Sequence, residues 1–113
     1  MSDEEFRHPS HSYLAEAAPE FFERYDAVVR MALALDGDEG LALPHKYREL
    51  IVICMLALLR APEDAIANHI GRALGAGLSE AELVEGLQAA FVPGGAPVLM
   101  HGIRSLVRYR EGA

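Results

Sequence analysis

The chain has 113 residues, of which 51% are hydrophobic, and a formal charge of −7. This length predicts one domain with a single core. The acidic balance argues against nucleic acids and anionic membranes as partners, since both require a basic face. The apolar run Leu50–Leu59 has ten residues, whereas a membrane span needs roughly 20. The polar first residues lack the apolar stretch of a secretory signal, so we expect a cytoplasmic protein.

The first part of the chain predicts a polar arm, two helices and a loop. Residues 1–12 offer little to bury, and we expect a flexible N-terminal arm ahead of a helical domain over residues 13–113. A short helix is expected over Ser12–Ala17. Pro19 fits the first turn of a longer helix that runs to about Leu35. The acidic, glycine-rich segment 36–40 interrupts the apolar periodicity and therefore predicts a loop.

Two further helices are predicted around a short turn. The first begins at Pro44, runs to about Arg60 and is hydrophobic on all sides after Glu49. Such a helix is expected at the centre of a fold, surrounded by others. The next helix runs from about Glu63 to Ala76 and closes at Gly77, a residue that favours helix ends.

The last part of the chain predicts two helices separated by a break. Ser79 and Glu82 have the spacing of a capping box, so a helix begins at Glu80 and continues to about Val92. The segment 93–95, Pro-Gly-Gly, ends it, and a final helix follows. No segment shows sustained strand alternation. The sequence therefore predicts an all-α bundle of five or six helices.

Two titratable residues lie in the apolar pattern of the middle helices. Glu49 shares a helical face with Ile53 and Leu56. It is either a half-exposed acid that stabilises the helix dipole or a carboxylate that holds or passes a proton near neutral pH. His69 borders the apolar face of the next helix and is either a structural residue or a proton carrier. Their separation of 20 positions allows two antiparallel helices joined by a tight turn to bring them together.

Three motifs resemble those of the carboxymuconolactone decarboxylase family, which includes the alkylhydroperoxidase-like proteins. Lys46–Ile51 matches K-x-R-E-L-[IV], His69 precedes Ala73 and Gly77 as in H-x3-A-x3-G, and Leu78–Glu85 matches [LVA]-[ST]-x-x-E-[IL]-x-E. The resemblance implies an alkylhydroperoxidase-like fold and identifies His69 with the family's proton-carrying histidine. It also implies ring-like homo-oligomers, and the apolar helix supports a trimer or a hexamer of trimers.

The cysteine content distinguishes the branches of this family. Cys54 is the only cysteine, so neither an intrachain disulfide nor a cysteine-based zinc site is possible. Redox-active members carry a Cys-x-x-Cys pair where this chain has Pro62 and Ala65. Thiol peroxidase activity needs one thiol to attack and another to resolve, so it is disfavoured here. The resemblance therefore favours the cysteine-free, decarboxylase-like branch.

The residues and the resemblance together predict a cofactor-free lyase or isomerase acting on a small carboxylated or lactone-type substrate. His69 is expected to be the general acid or base, with Glu49 as its partner or a second proton-transfer group. Arg48, Arg60 and Arg72 are candidates for carboxylate binding through paired hydrogen bonds. No two histidines have i,i+4 spacing, so no metal site is predicted. The alternative is a non-catalytic oligomeric binding or scaffold protein of the same fold.

Overall fold

The computed structural model describes residues 9–112, which form helices and connecting turns without a strand. It contains five helices: α1 (Pro9–Ala17), α2 (Pro19–Ala32), α3 (His45–Leu58), α4 (Glu63–Gly75) and α5 (Glu80–Arg110). The all-α prediction is therefore confirmed. Contacts divide the chain between Gly37 and Asp38 into an N-terminal unit with α1 and α2 and a C-terminal unit with α3, α4 and α5.

The N-terminal unit begins earlier than predicted and is held by ring contacts between its helices. Since α1 begins at Pro9, residues 9–12 are helical, whereas the predicted arm extends over them. The rest of that predicted arm, residues 1–8, lies outside the described residues. His11 of α1 lies 5.8 Å from the ring of Tyr25 and 6.2 Å from that of Phe22 in α2.

Helix α2 ends at Ala32, earlier than the predicted Leu35. Ala34 takes a left-handed conformation with φ 55°, and the Leu35 amide donates to the carbonyl of Arg30 at 2.9 Å. This is the Schellman type of helix ending, which usually requires glycine. An alanine at this position gives no sequence signal for the end of the helix.

The C-terminal unit packs α3, α4 and α5 against one another around an aliphatic core. Its fully buried apolar side chains are Ile53, Ala57, Ile66, Ile70, Ala73, Leu83 and Leu87. The uniform hydrophobicity of α3 predicts a helix that the others surround. The structure shows instead that one side of α3 is exposed. Ile51 and Met55 on its outer side are 53% and 50% exposed, so neither α4 nor α5 covers this face of α3.

The turn between α3 and α4 contains a strained residue. Arg60 has φ 60°. Its amide donates to the carbonyl of Ala57, and the Ala61 amide donates to the carbonyl of Leu56 at 2.9 Å. Gly77 occupies the equivalent place after α4 with φ 103°. Both turns are Schellman endings, but only the second has the residue that adopts this conformation without strain.

The predicted capping box and break in the last helices are both confirmed. The Ser79 hydroxyl accepts the Glu82 amide at 3.0 Å, and the Glu82 carboxylate accepts the Ser79 amide at 2.8 Å. Gly95 has φ 77° and ψ −179°, so α5 consists of two helical arms joined at a kink. The kink follows Pro93, whose ring removes a backbone donor.

Helix α5 also meets the criteria of length and composition for a membrane span, and within residues 9–112 no other helix does. Core helices of soluble proteins meet the same criteria. The kink at Gly95 leaves two arms of about 15 residues each, and a continuous span needs roughly 20. Leu83, Leu87, Val98 and Leu106 from both arms are buried within the structure.

Candidate active site

A buried carboxylate on α3 faces a histidine on α4. Glu49 is 0% exposed, and its Oε1 lies 3.1 Å from Nδ1 of His69. Helices α3 and α4 pack against each other and are joined by the short turn at Arg60. The predicted approach of Glu49 and His69 is therefore confirmed. The alternative of a half-exposed Glu49 is wrong, because packing closes over its side chain.

The second oxygen of this carboxylate is unsatisfied. Within the described residues, Oε2 of Glu49 is buried and has no hydrogen-bond partner. A buried polar atom without a partner costs on the order of 1 to 3 kcal/mol, and more when the group is charged. In native proteins such an atom usually meets an ordered water or serves a function. Oε2 is thus free either to carry a proton or to meet a group of a bound molecule.

His69 connects the buried carboxylate to the outside of the unit. Its side chain is 22% exposed, whereas that of Glu49 is completely enclosed. An ionised Glu49 accepts the proton of Nδ1, which makes Nε2 the ring nitrogen that exchanges protons with a substrate. The pair can therefore move a proton between a protected interior and an accessible surface.

Arg72 adds a positive charge to the same region. It lies one helical turn beyond His69 on α4 and is partly buried. Burial lowers the pKa of the Arg72 guanidinium, and the nearby charge of Glu49 partly raises it again. Helical geometry places residues three apart on one face. A carboxylate, an imidazole and a guanidinium therefore meet on the α3–α4 side of the unit.

The other two predicted arginines lie near the two ends of α3. Arg48 donates from Nε to the backbone carbonyl of Leu43 at 2.7 Å, so its side chain folds back beside the start of α3. Arg60 is exposed at the far end of α3, roughly 16 Å along the helix from Glu49 at 1.5 Å per residue. Their predicted role in carboxylate binding stays a prediction.

One histidine has a structural contact that sequence reasoning missed. His101 on α5 donates from Nε2 to the backbone carbonyl of Ala61 at 2.6 Å. This contact joins the second arm of α5 to the α3–α4 turn. The residues are 40 positions apart, and no local pattern in the sequence signals such a pairing.

Cys54 lies on α3 away from the Glu49 face. It is half-buried, and this burial raises the pKa of its thiol. A raised pKa lowers the fraction of reactive thiolate at neutral pH. Within residues 9–112, no group of three or more histidine, cysteine or acidic side chains is arranged to hold a metal ion.

Comparisons with known proteins agree with this architecture. The profile of the carboxymuconolactone decarboxylase family matches residues 19–107. A crystal structure of a provisionally assigned carboxymuconolactone decarboxylase from Burkholderia xenovorans LB400 superposes with a TM-score of 0.76 at 30% sequence identity. The match covers 94% of this chain and 81% of the other. The search of curated proteins found no match. The chain belongs to the carboxymuconolactone decarboxylase family.

Proposed function

We propose that the protein is a cofactor-independent, carboxymuconolactone decarboxylase-like enzyme, a lyase or isomerase for a small carboxylated or lactone-type substrate. The observation that carries the proposal is the fully buried Glu49, with Oε1 at 3.1 Å from His69 Nδ1 and Oε2 without a partner. A carboxylate in this place is expensive for the fold. A buried carboxylate paired with a histidine is a candidate for a functional site.

The proposed chemistry needs only proton transfer and charge stabilisation. In a decarboxylation the bond between the carboxylate carbon and its neighbour breaks, CO2 leaves, and the electron pair stays behind as an enolate. His69, in its protonated form, then gives a proton from Nε2 to the neighbouring carbon that lost CO2, and becomes the neutral imidazole. Glu49 accepts the hydrogen bond of Nδ1 throughout, and water at the exposed edge of His69 returns a proton to Nε2. Isomerisation of a lactone uses the same groups to remove and replace one proton.

Arg72 is the arginine that the geometry favours for holding the substrate. Its position one turn from His69 and its electrostatic interaction with Glu49 support a role in binding an anionic group. A guanidinium binds a carboxylate through two parallel hydrogen bonds. The same positive charge opposes the negative charge that develops on an enolate oxygen.

We further propose that the protein is a homo-oligomer, a trimer or a hexamer, with a small-molecule substrate as its other partner. The support is apolar surface on α3 and α5 that the C-terminal unit leaves uncovered. Phe91 is 44% exposed and Val92 83% exposed. Single exposed apolar residues are common, but clustered ones mark interfaces. A cytoplasmic location stays a prediction.

The proposal is tested by screening small carboxylates and lactones for turnover, followed by His69→Gln and Glu49→Gln. Each substitution keeps the size and hydrogen bonding of the side chain but removes a titratable group. Since general acids and bases contribute roughly 100- to 10,000-fold, we expect kcat to fall by that factor with a smaller change in KM.

Two matched variants control for the chemistry of the substitution. His101→Gln retains an N–H donor for the Ala61 carbonyl, and Glu85→Gln changes an exposed acid on α5; both should leave turnover close to wild type. Wild-type turnover by His69→Gln would show that the proposed mechanism is wrong. Binding of a screened compound without any conversion would favour the non-catalytic binding protein.

A further inference from the structure

The contact between Glu49 and His69 fixes which side chains of α3 and α4 lie beside it. A short turn joins the two helices, so they run in opposite directions. One turn back along α3 and one turn forward along α4 therefore lead to the same end of the pair. His45 stands four residues before Glu49, and Arg72 stands three residues after His69. At 1.5 Å per residue, the two lie roughly 6 and 4.5 Å along the helices from the Glu49–His69 contact, at nearly the same level.

His45 and Arg72 are also turned toward the same side of the helix pair. Each helical residue is rotated by about 100° from the one before it. His45 is therefore turned by about 40° from the direction of Glu49, and Arg72 by about 60° from that of His69. Because the helices are antiparallel, the two rotations lead to one side.

The buried core agrees with this geometry. Ile53, Ile66 and Ala73 are turned by similar angles toward the other side, and all three are completely buried. His45 and Arg72 are only partly buried. The two therefore lie on the side of the helix pair that faces away from the core.

The first turn of α3 has basic side chains where a helix normally favours acidic ones. His45 is the first residue of this helix, Lys46 and Arg48 follow within the same turn, and the turn contains no acid. The positive end of the helix dipole makes cations unfavourable there. Since the chain as a whole has a charge of −7, this local excess of basic residues is not explained by helix formation. A bound anion would offset it.

Two carboxylates lie close to His45, and their contacts leave its ring available to a ligand. The Asp38 carboxylate accepts the backbone amide of His45 at 3.0 Å, and Oε1 of Glu49 meets Nδ1 of His69 at 3.1 Å. Oε2 of Glu49, one helical turn from His45, is buried and has no hydrogen-bond partner within residues 9–112. A buried oxygen of this kind needs a donor from a bound molecule. It is independent evidence that a ligand completes this site.

The opposite end of the same side is apolar. Val52 stands three residues after Glu49, and Ala65 stands four residues before His69. By the same rotations, both are turned toward the side of His45. Both are partly buried. The surroundings of His69 therefore have a polar end and an apolar end.

We propose that His45 is a second substrate-binding residue, which binds the carboxylate of the substrate together with Arg72. The uncharged part of the substrate then contacts Val52 and Ala65, and the reacting carbon lies between the two ends, within reach of His69. A histidine ring donates an N–H in either protonation state, and a guanidinium adds paired donors. This inference deepens the proposed function and rests on it.

The test compares the binding of γ-butyrolactone-γ-carboxylate and γ-butyrolactone, which share one lactone ring and differ in the carboxylate. Dissociation constants are measured on the full-length protein from the NMR signals of the isotope-labelled His69 ring. Ionic strength is kept constant, because salt screens the charges. For wild type we expect the carboxylated lactone to bind at least about 10-fold more tightly than the unsubstituted one.

Three variants isolate the role of His45. His45→Phe keeps a ring without nitrogen, and we expect it to bind the carboxylated lactone about 10-fold more weakly, with no change for γ-butyrolactone. His45→Gln retains an N–H donor and should stay within about 3-fold of wild type. Lys46→Met is the matched control, because it removes a charge from the same turn. The Lys46 ammonium lies 5.1 Å from the centre of the Tyr47 ring, so affinity should change by less than about 2-fold.

Circular dichroism checks that each variant is folded. His45→Ala removes the whole ring at the first position of the helix, and it replaces His45→Phe in the test if the phenylalanine disturbs the fold. We expect the same 10-fold loss of affinity for the carboxylated lactone, which is roughly 1.4 kcal/mol.

The possible results separate this inference from the proposed function. Equal affinity of wild type and His45→Phe would overturn the role of His45, and a loss in Arg72→Gln would then leave the proposed anion binding by Arg72 standing. A loss in Lys46→Met as large as that in His45→Phe would indicate a general attraction between charges and would also overturn it. Equal binding of both lactones by wild type would overturn the anion site as a whole. Turnover of another compound that depends on His69 would still support the proposed chemistry.

Discussion

The two faces of α3 depart from the usual distribution of side chains in opposite directions. The inner face, with Ile53 and Ala57, holds the fully buried acid Glu49. The outer face exposes Ile51 and Met55 to solvent. A folded domain normally buries its apolar side chains and leaves its acids in water. One helix therefore has an acidic side chain in its buried face and large apolar side chains in its exposed face.

The two faces differ in whether the chain itself supplies contacts for the unusual side chains. On the inner face, one oxygen of the buried Glu49 carboxylate has a hydrogen-bond partner within the chain, the Nδ1 of His69. The outer side chains stay about half exposed within the described part of the C-terminal unit, and the proposed homo-oligomer would cover them. Departures from local rules are expected at functional and binding sites. The inner face is therefore the candidate for chemistry, and the outer face is the candidate for assembly.

The largest effect on stability and turnover is expected when the inner face of α3 is made wholly apolar. The double substitution Glu49→Leu with His69→Leu removes the polar pair and its unsatisfied oxygen. Replacing buried ion pairs with apolar residues is often neutral or stabilising by about 1 to 4 kcal/mol. We expect the free energy of unfolding to rise by about 1 to 3 kcal/mol in urea denaturation at a fixed protein concentration, with turnover lost.

The single substitution His69→Leu is the matched control for that variant. It leaves the Glu49 carboxylate buried without its one hydrogen-bond partner, so we expect stability to fall by about 3 kcal/mol. A loss of stability in the double variant would instead indicate that the pair supports the fold. The chemical role of the inner face would then lose its main support.

A smaller effect is expected at Cys54, which lines an apolar groove between α3 and α5. Cys54→Ala removes a half-buried sulfur and should lower stability by about 1 kcal/mol while leaving turnover unchanged. Because burial raises the pKa of this thiol, the thiolate fraction at pH 8 is lower than in a free cysteine. Wild type should therefore react with iodoacetamide more slowly than free cysteine, and faster as the pH rises further. Loss of turnover in folded Cys54→Ala would revive thiol chemistry.

The smallest effect is expected at the end of the same helix. Arg60 has φ 60°, and Arg60→Gly should raise stability by about 0.5 to 1 kcal/mol because glycine adopts this conformation without strain. Thermal unfolding measures the change.

Gly77→Ala at the equivalent turn is the control and should lower stability by a similar amount. If Arg60 also binds substrate, Arg60→Gly raises KM and leaves kcat unchanged. A fall in stability would contradict the strain assigned to Arg60.

Much of the helical pattern was predictable from sequence because it depends on neighbouring residues. Ser79 and Glu82 cap α5 through contacts three residues apart, and Gly77 and Gly95 take positive φ where the chain turns or bends. The ends at Ala34 and Arg60 lack the usual glycine. No local pattern in the sequence predicts the left-handed conformation at those positions.

The sequence by itself determined the helices, the family and the pairing of Glu49 with His69, because helical periodicity and the length of the turn bring these two residues together. Only the tertiary structure decided that Oε2 of Glu49 has no partner, that Arg72 is the arginine beside the pair, and that the outer face of α3 borders a groove. Those features depend on how each helix is rotated against its neighbours. Rotation is set by packing between residues that are distant in the chain.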